Sequence, residues 1–66
     1  MKITCNGEIK KITPNTSLIN FIRDMDLNPD TVVAECDGRI ISRDDYESLI
    51  LREGSVLELI RFVGGG

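Results

Sequence analysis

The residues of this chain with the most to offer chemically are its last three. RFVGGG runs the strand-like Arg61, Phe62 and Val63 into Gly64, Gly65 and Gly66, and there the 66-residue sequence stops. At an average glycine frequency of ~7%, three terminal glycines arise by chance in about one chain in three thousand. A flexible stub or a cloning remnant would carry no chemistry. A functional tail suits one particular job. Glycine has no side chain, so such a segment threads a channel only as wide as a backbone. Extended, Phe62 to Gly66 reaches roughly 17 Å from the last strand. The Gly66 carboxylate would then enter another protein's active site while the domain body docks outside it. A free carboxylate is a poor electrophile, so it must first be activated, most simply by adenylation.

Other chemistry is poorly served. The sequence has no histidine, so no Ser–His or Cys–His nucleophile pair can form. Asp44 and Asp45 read as two solvated surface carboxylates. Gly64–Gly66 are no P-loop, because no Lys-Ser/Thr and no helix follow them. Nothing in the chain would bind ATP, so it reads as a substrate of catalysis rather than a catalyst. Cys5 and Cys36 each lie in an apolar run, where a reduced cysteine acts as a small hydrophobe. One disulfide is arithmetically possible, but no signal peptide is present. Without a CxxC or a histidine, zinc is not expected.

Composition sets the frame for these residues. Sixty-six residues make at most one domain, and a chain this short buries only about 60% of the surface its unfolded form exposes. With 41% hydrophobic and 29% charged residues the composition is globular. One Tyr, two Phe and no Trp leave the core to aliphatic side chains. The net charge is −3, with the eight basic residues scattered along the chain. That argues against a phosphate-binding surface and for a basic protein partner. No segment approaches the ~20 apolar residues of a membrane span. A soluble, cytoplasmic protein is the expectation.

The positioning elements can be read in order. In MKITC, Ile3 and Cys5 share one face and Lys2 and Thr4 the other, as in a strand. Asn6-Gly7 is a hairpin signal, because both residues tolerate positive φ. EIKKIT is the return strand, with Ile12 rather than Ile9 inward. Thr16 or Ser17 caps a helix whose Leu18, Phe21, Ile22 and Met25 form one apolar stripe. Asn28-Pro29-Asp30 is expected to stop it. TVVAEC is a third strand with Val32, Ala34 and Cys36 on one face. Asp37-Gly38 turns into a fourth, RIIS. Ser42 followed by Asp45 resembles a weak capping box, predicting a helical turn near residues 43–46. ILREGS is a loop closing on Gly54.

VLELIRFV is the last strand, with Leu57 and Leu59 inward and Val56, Glu58, Ile60 and Phe62 outward. Exposed Ile60 and Phe62 are either scattered apolar residues, which are normal, or a rim patch beside the terminus. One helix can cover only one face of a five-stranded sheet. The first hairpin and the last strand must pair in the middle if the sheet is to be compact. The pattern predicts an α+β protein of the β-grasp type with strand and helix order ββαβββ. Its body would span residues 1–63 and its glycine tail residues 64–66.

ITCNGE, TSLINFI, AECDGRII, LREGS and the ending FVGGG, taken in their order and spacing over the whole chain, resemble the ThiS family of sulfur carriers. That family belongs to the ubiquitin-like β-grasp proteins. The resemblance implies that a ThiF-like enzyme, using ATP and Mg, adenylates Gly66. Sulfur from a cysteine desulfurase persulfide then displaces AMP to leave a thiocarboxylate. A ThiG-like thiazole synthase takes that sulfur into the thiazole of thiamine. Gly64 and Gly65 would thread the partner active sites. Ile60, Phe62 and Val63 would supply apolar docking contacts, with Arg61, and Arg23 or Arg39, adding charge contacts. The chain itself would be no enzyme and would hold no cofactor or metal.

Where the family often has Asn, an aliphatic residue or an acidic one, this sequence has Asp37, Cys36 and Ser55. Two readings stay open beside the thiazole carrier: a molybdopterin-synthase type of carrier (MoaD-like), and a ubiquitin-like modifier joined to lysines through Gly66. A plain interaction domain with a flexible tail is a third.

Overall fold

The computed structural model describes residues 1–62. Five strands form one sheet: β1 Lys2–Cys5, β2 Glu8–Lys11, β3 Val32–Cys36, β4 Arg39–Ile40 and β5 Val56–Arg61, with the helix α1, Leu18–Asp24, between β2 and β3. Their spatial order is β2-β1-β5-β3-β4. β1 and β5 run parallel; the other neighbours are antiparallel. This mixed sheet with one helix across a face is the ubiquitin-like β-grasp arrangement. The last strand sits in the middle, as the sequence pattern requires.

Two tight turns set the registers. Asn6 and Gly7 have φ of 50° and 83°, and Asp37 and Gly38 have 51° and 84°. Positive φ at both central residues marks the turns whose twist matches the strands they join.

The helix starts and stops by local hydrogen bonding. Ser17 is the cap: its Oγ accepts from the Asn20 N–H at 3.2 Å, while Thr16 instead donates to the Thr13 carbonyl. The next two N–H groups, of Leu18 and Ile19, donate to the carbonyls of Leu49 and Tyr46. The Leu49 and Tyr46 carbonyls thereby satisfy donors that a helix start leaves without partners. The expected stop at Asn28-Pro29-Asp30 is corrected: α1 ends at Asp24 with Met25 as its cap. Asp26, at φ 59°, reverses the chain. The Asp26 N–H then donates to Arg23 and the Leu27 N–H to Ile22, the bond pair of a Schellman motif. Asn28 instead caps a 3-10 turn, Pro29–Thr31, by accepting from the Asp30 N–H.

The core lies between α1 and one sheet face. Ile3 and Cys5 of β1, Val32, Ala34 and Cys36 of β3, and Leu57 and Leu59 of β5 meet Leu18, Phe21 and Ile22 of the helix. Met25 and Ile12 pack at its margin. Ile9 faces solvent, as the imperfect alternation of β2 suggests. The helical turn forms at Arg43–Asp45, but Ser42 gives it no side-chain cap, so the capping-box reading of Ser42 and Asp45 fails.

Tyr46, just past that turn, is buried. Its hydroxyl donates to the Val32 carbonyl at 2.8 Å and accepts from the Ala34 N–H at 3.1 Å. β4 pairs only with the far end of β3, at Glu35 and Cys36. The tyrosine therefore stands in for a strand where β3 has none. Arg43 adds bonds to the carbonyls of Val32 and Pro29.

Candidate functional site

The candidate site is the strand that leads to the glycines and the sheet face it shares. β5 is held from both sides. On the β1 side, the Thr4 and Asn6 N–H groups donate to the carbonyls of Ser55 and Leu57. β1 ends at Cys5, yet the ladder continues through the Asn6 side chain. Its Oδ1 accepts from the Leu59 N–H at 2.8 Å and its Nδ2 donates to the Leu59 carbonyl at 3.3 Å. The amide copies a backbone peptide one step beyond the strand.

On the β3 side, the pairing runs from Cys36–Leu57 to Val32–Arg61. It is extended at both ends. The Asp37 Oδ1 accepts from the Val56 N–H at 2.9 Å, a bond that asparagine could equally accept. The Phe62 N–H donates to the Thr31 carbonyl at 3.0 Å. The chain is therefore fixed up to the residue just before Val63. Ser55 is buried and its Oγ accepts from the Arg52 N–H, which closes the loop before β5.

Strand alternation then divides the residues. Leu57 and Leu59 face the helix; Val56, Glu58, Ile60 and Phe62 face away. Ile60 and Phe62 are 57% and 63% exposed. Ile9 and Ile40 extend the same face from β2 and β4, because their partners Thr4 and Glu35 lie on it. The exposed apolar residues thus share the uncovered side of the sheet, with Glu35 and Glu58 among them.

The charged residues expected beside them fall elsewhere. Arg61 pairs with buried Val32 and so points to the helix side. Arg39 pairs with Cys36 on that side too, and Arg23 lies in the last turn of α1. The structure brings Ile60 and Phe62 together and separates them from all three arginines. Val63, Gly64, Gly65 and Gly66 lie outside the described residues, as does the expected boundary between body and tail. The roles of Asn6 and Tyr46 in fixing β5 and β3 are not visible in the sequence. Their partners are 53 and 12–14 residues away, and no local pattern encodes them.

Nothing else in the described residues resembles a reaction centre. Both cysteines are free and buried. Burial pushes both thiols above their ordinary value, and the Asp37 carboxylate adds to this at Cys36. Such thiols are protonated and poor nucleophiles at neutral pH. Among the described residues no group of three His, Cys, Asp or Glu side chains could hold a metal ion, and no helix is long and apolar enough to cross a membrane.

Known proteins resemble this chain along its whole length. In fold, it matches the crystal structure of the thiamine biosynthesis protein ThiS from Geobacter metallireducens with a TM-score of 0.85, at 20% identity, over 100% of both chains. The solution structure of a thiamine biosynthesis protein from the same organism gives 0.82, also at 20% identity, over 100% of this chain and 88% of that one. In sequence, it is 32% identical over 66 residues to a thiazole synthase of Magnetococcus marinus and 24% identical over 66 residues to one of Paramagnetospirillum magneticum. It spans about a fifth of the length of these curated relatives, 20% in each case. The model of the ThiS family matches residues 3–66, and this chain belongs to the ThiS family.

Proposed function

We propose that the chain is a sulfur carrier that works through the carboxyl group of Gly66. The observation that carries this reading is the way β5 leads into the glycines. The backbone is tied into the sheet as far as the Phe62–Thr31 hydrogen bond, and one valine and three glycines come after it in the sequence. Those four residues can span roughly 13 Å when extended, enough to pass a carboxyl group into a narrow active site.

The chemistry proceeds in steps supplied by partners. A ThiF-like enzyme with ATP and Mg lets the Gly66 carboxylate attack the α-phosphate, forming an acyl adenylate and releasing pyrophosphate. The terminal sulfur of a cysteine desulfurase persulfide attacks the acyl carbon and AMP leaves. A thiol reductant then splits the acyl disulfide, giving the thiocarboxylate. Its sulfur is nucleophilic, while its bond to the acyl carbon can still be broken. A ThiG-like thiazole synthase is the acceptor, a choice supported by the names of the two relatives. Gly64 and Gly65 thread each active site, and Ile60 and Phe62 hold the body outside. The chain contributes no catalytic group, and the chemistry takes place in soluble, cytoplasmic enzymes.

Intact-protein mass spectrometry after incubation with the adenylating enzyme, ATP, cysteine and the desulfurase tests this. The expected result is exchange of one oxygen for one sulfur at Gly66, abolished when Gly66 is deleted. Isopeptide-linked adducts would instead make the protein a modifier, and an unchanged mass with an active partner would refute the carrier reading.

A further inference from the structure

The two sharp turns share a backbone shape but ask different things of their first residue. Asp37 uses its carboxylate only as an acceptor, from the Val56 N–H and from the Cys36 thiol. Asn6 uses both ends of its amide: Oδ1 accepts from the Leu59 N–H and Nδ2 donates to the Leu59 carbonyl. An aspartate at position 6 would keep the acceptor and set a second carboxylate oxygen against that carbonyl. Backbone pairing of β1 with β5 ends at Cys5 and Leu57. Among the described residues, the two amide bonds are therefore the last that β5 makes on its β1 side. The residue after Asn6 is Gly7, and both are exposed to water. No side chain on Gly7 crowds its nitrogen, which leaves that nitrogen free to attack the amide carbon of Asn6.

We propose that Asn6 is a deamidation site that the fold holds shut, and that its products unfasten the end of β5. In the reaction the Gly7 nitrogen bonds to the Asn6 Cγ and closes a succinimide ring. The bond from Cγ to Nδ2 breaks, and the Gly7 amide proton leaves with that nitrogen as ammonia. Water then opens the ring at either carbonyl, leaving aspartate or isoaspartate at position 6. Ring closure turns the Asn6 side chain onto its own following peptide, so both bonds to Leu59 break first. The reaction is thereby tied to local opening of the β1–β5 ladder. Aspartate has no donor for the Leu59 carbonyl and brings a negative charge to it. Isoaspartate also inserts a methylene into a two-residue turn, whose length fixes the register of the strands it joins. The conversion consumes water and releases ammonia, so a chain once converted keeps the weakened joint. The inference goes beyond the carrier reading and does not rest on it.

The test follows amide-to-acid conversion in the full chain by peptide mass spectrometry, at mildly alkaline pH, in buffer and in urea. In urea, Asn6 should convert faster than Asn15, Asn20 and Asn28, which precede Thr16, Phe21 and Pro29. The side chains of Thr16 and Phe21 crowd the attacking nitrogen, and Pro29 has no N–H to give up. In buffer, Asn6 should convert at least about tenfold more slowly than in urea, because the ladder must open first. Asn6→Asp reproduces one product. It should lower the urea midpoint and speed hydrogen exchange at the Leu59 N–H by roughly tenfold. Asn15→Asp makes the same change in charge at another positive-φ residue, at 66° in the loop before α1, and should leave both readings unchanged. Faster conversion of another asparagine in urea would overturn the site, and equal rates for Asn6 in buffer and urea would overturn its protection. Matching midpoints and exchange rates in the two variants would overturn the consequence for β5. An Asn6→Asp chain that fails to fold where Asn15→Asp folds would sustain that consequence, and the two rates are read on the unaltered chain in either case.

Discussion

The two faces of the sheet obey the same strand alternation and do opposite things with it. On the covered face, Ile3, Val32, Ala34 and Leu57 are at most 1% exposed, and they share one core with Leu18, Phe21 and Ile22 of the helix. On the uncovered face, Ile9, Ile40, Ile60 and Phe62 stand in solvent, interleaved with a glutamate pair that weakens the sheet. Burial on one side stabilises the fold. Exposure on the other side contributes little to it, which leaves those positions free to serve recognition. A domain this small can spare only one face for its core. The other is available because a single helix cannot cover both.

This contrast is most vulnerable to truncation of one side chain on each face. Leu57→Ala should cost about 3 kcal/mol in urea unfolding, because the leucine is wholly buried and leaves a cavity. That is a large share of the stability of a domain of this size. Ile60→Ala, three residues on and facing the other way, should change it by less than about 0.5 kcal/mol. Comparable losses from the two would mean that the uncovered face also holds the fold together. The mirror experiment reads docking. Phe62→Asp should lower affinity for the adenylating enzyme by roughly tenfold, with the unfolding midpoint unchanged. Unaltered affinity would take Phe62 out of the interface.

On the covered side, a single hydroxyl offers a finer probe. Tyr46→Phe keeps the ring in place and deletes the hydroxyl. It strands the Ala34 N–H and leaves the Val32 carbonyl only its bond from Arg43. The expected cost is about 1–3 kcal/mol, with sulfur acquisition unchanged. A neutral result would mean that water or a shifted Arg43 replaces the hydroxyl.

Tyr46 also shows where reading the sequence stops. The strands of the core are legible because alternation is local: Ile3 and Cys5, Val32 to Cys36, and Leu57 and Leu59 all point as their spacing says. The Asn6-Gly7 and Asp37-Gly38 turns are legible because few residues accept positive φ. The outward set of β5 follows from the same alternation. The helix end is not legible, because Asp26 takes a position usually held by glycine, and the visible proline two residues beyond Leu27 draws attention to the wrong place. Asn6 reads as a turn residue and is one, but its amide also carries the β1–β5 ladder, a contact made across the fold. Arg61 reads as a docking residue through the family resemblance, and it sits between Ile60 and Phe62. The alternation that places those two on one face places it on the other.

The faintest signal should come from the two thiols, both on the covered face. The Cys5 pKa is raised above the ordinary 9.0, first by burial and then by the Glu58 and Glu8 carboxylates, with Lys10 opposing. Cys36 is raised above 9.0 by burial, by the charge of Asp37 and by the hydrogen bond it donates to that carboxylate. The unfolded chain, with ordinary thiols, loses these protons first as pH rises. The contribution to stability is therefore complete below the ordinary value and is lost as pH climbs through the raised one. Between about pH 8 and 10.5, the urea midpoint of the unaltered protein should fall more than that of Cys36→Val. The two proteins differ at this one side chain, so the difference isolates one thiol. Alkylation by iodoacetamide should also be slower in the native protein than in urea, since a covered thiol must open before it reacts. Equal rates would mean that the face packed against α1 opens as readily as the one left bare.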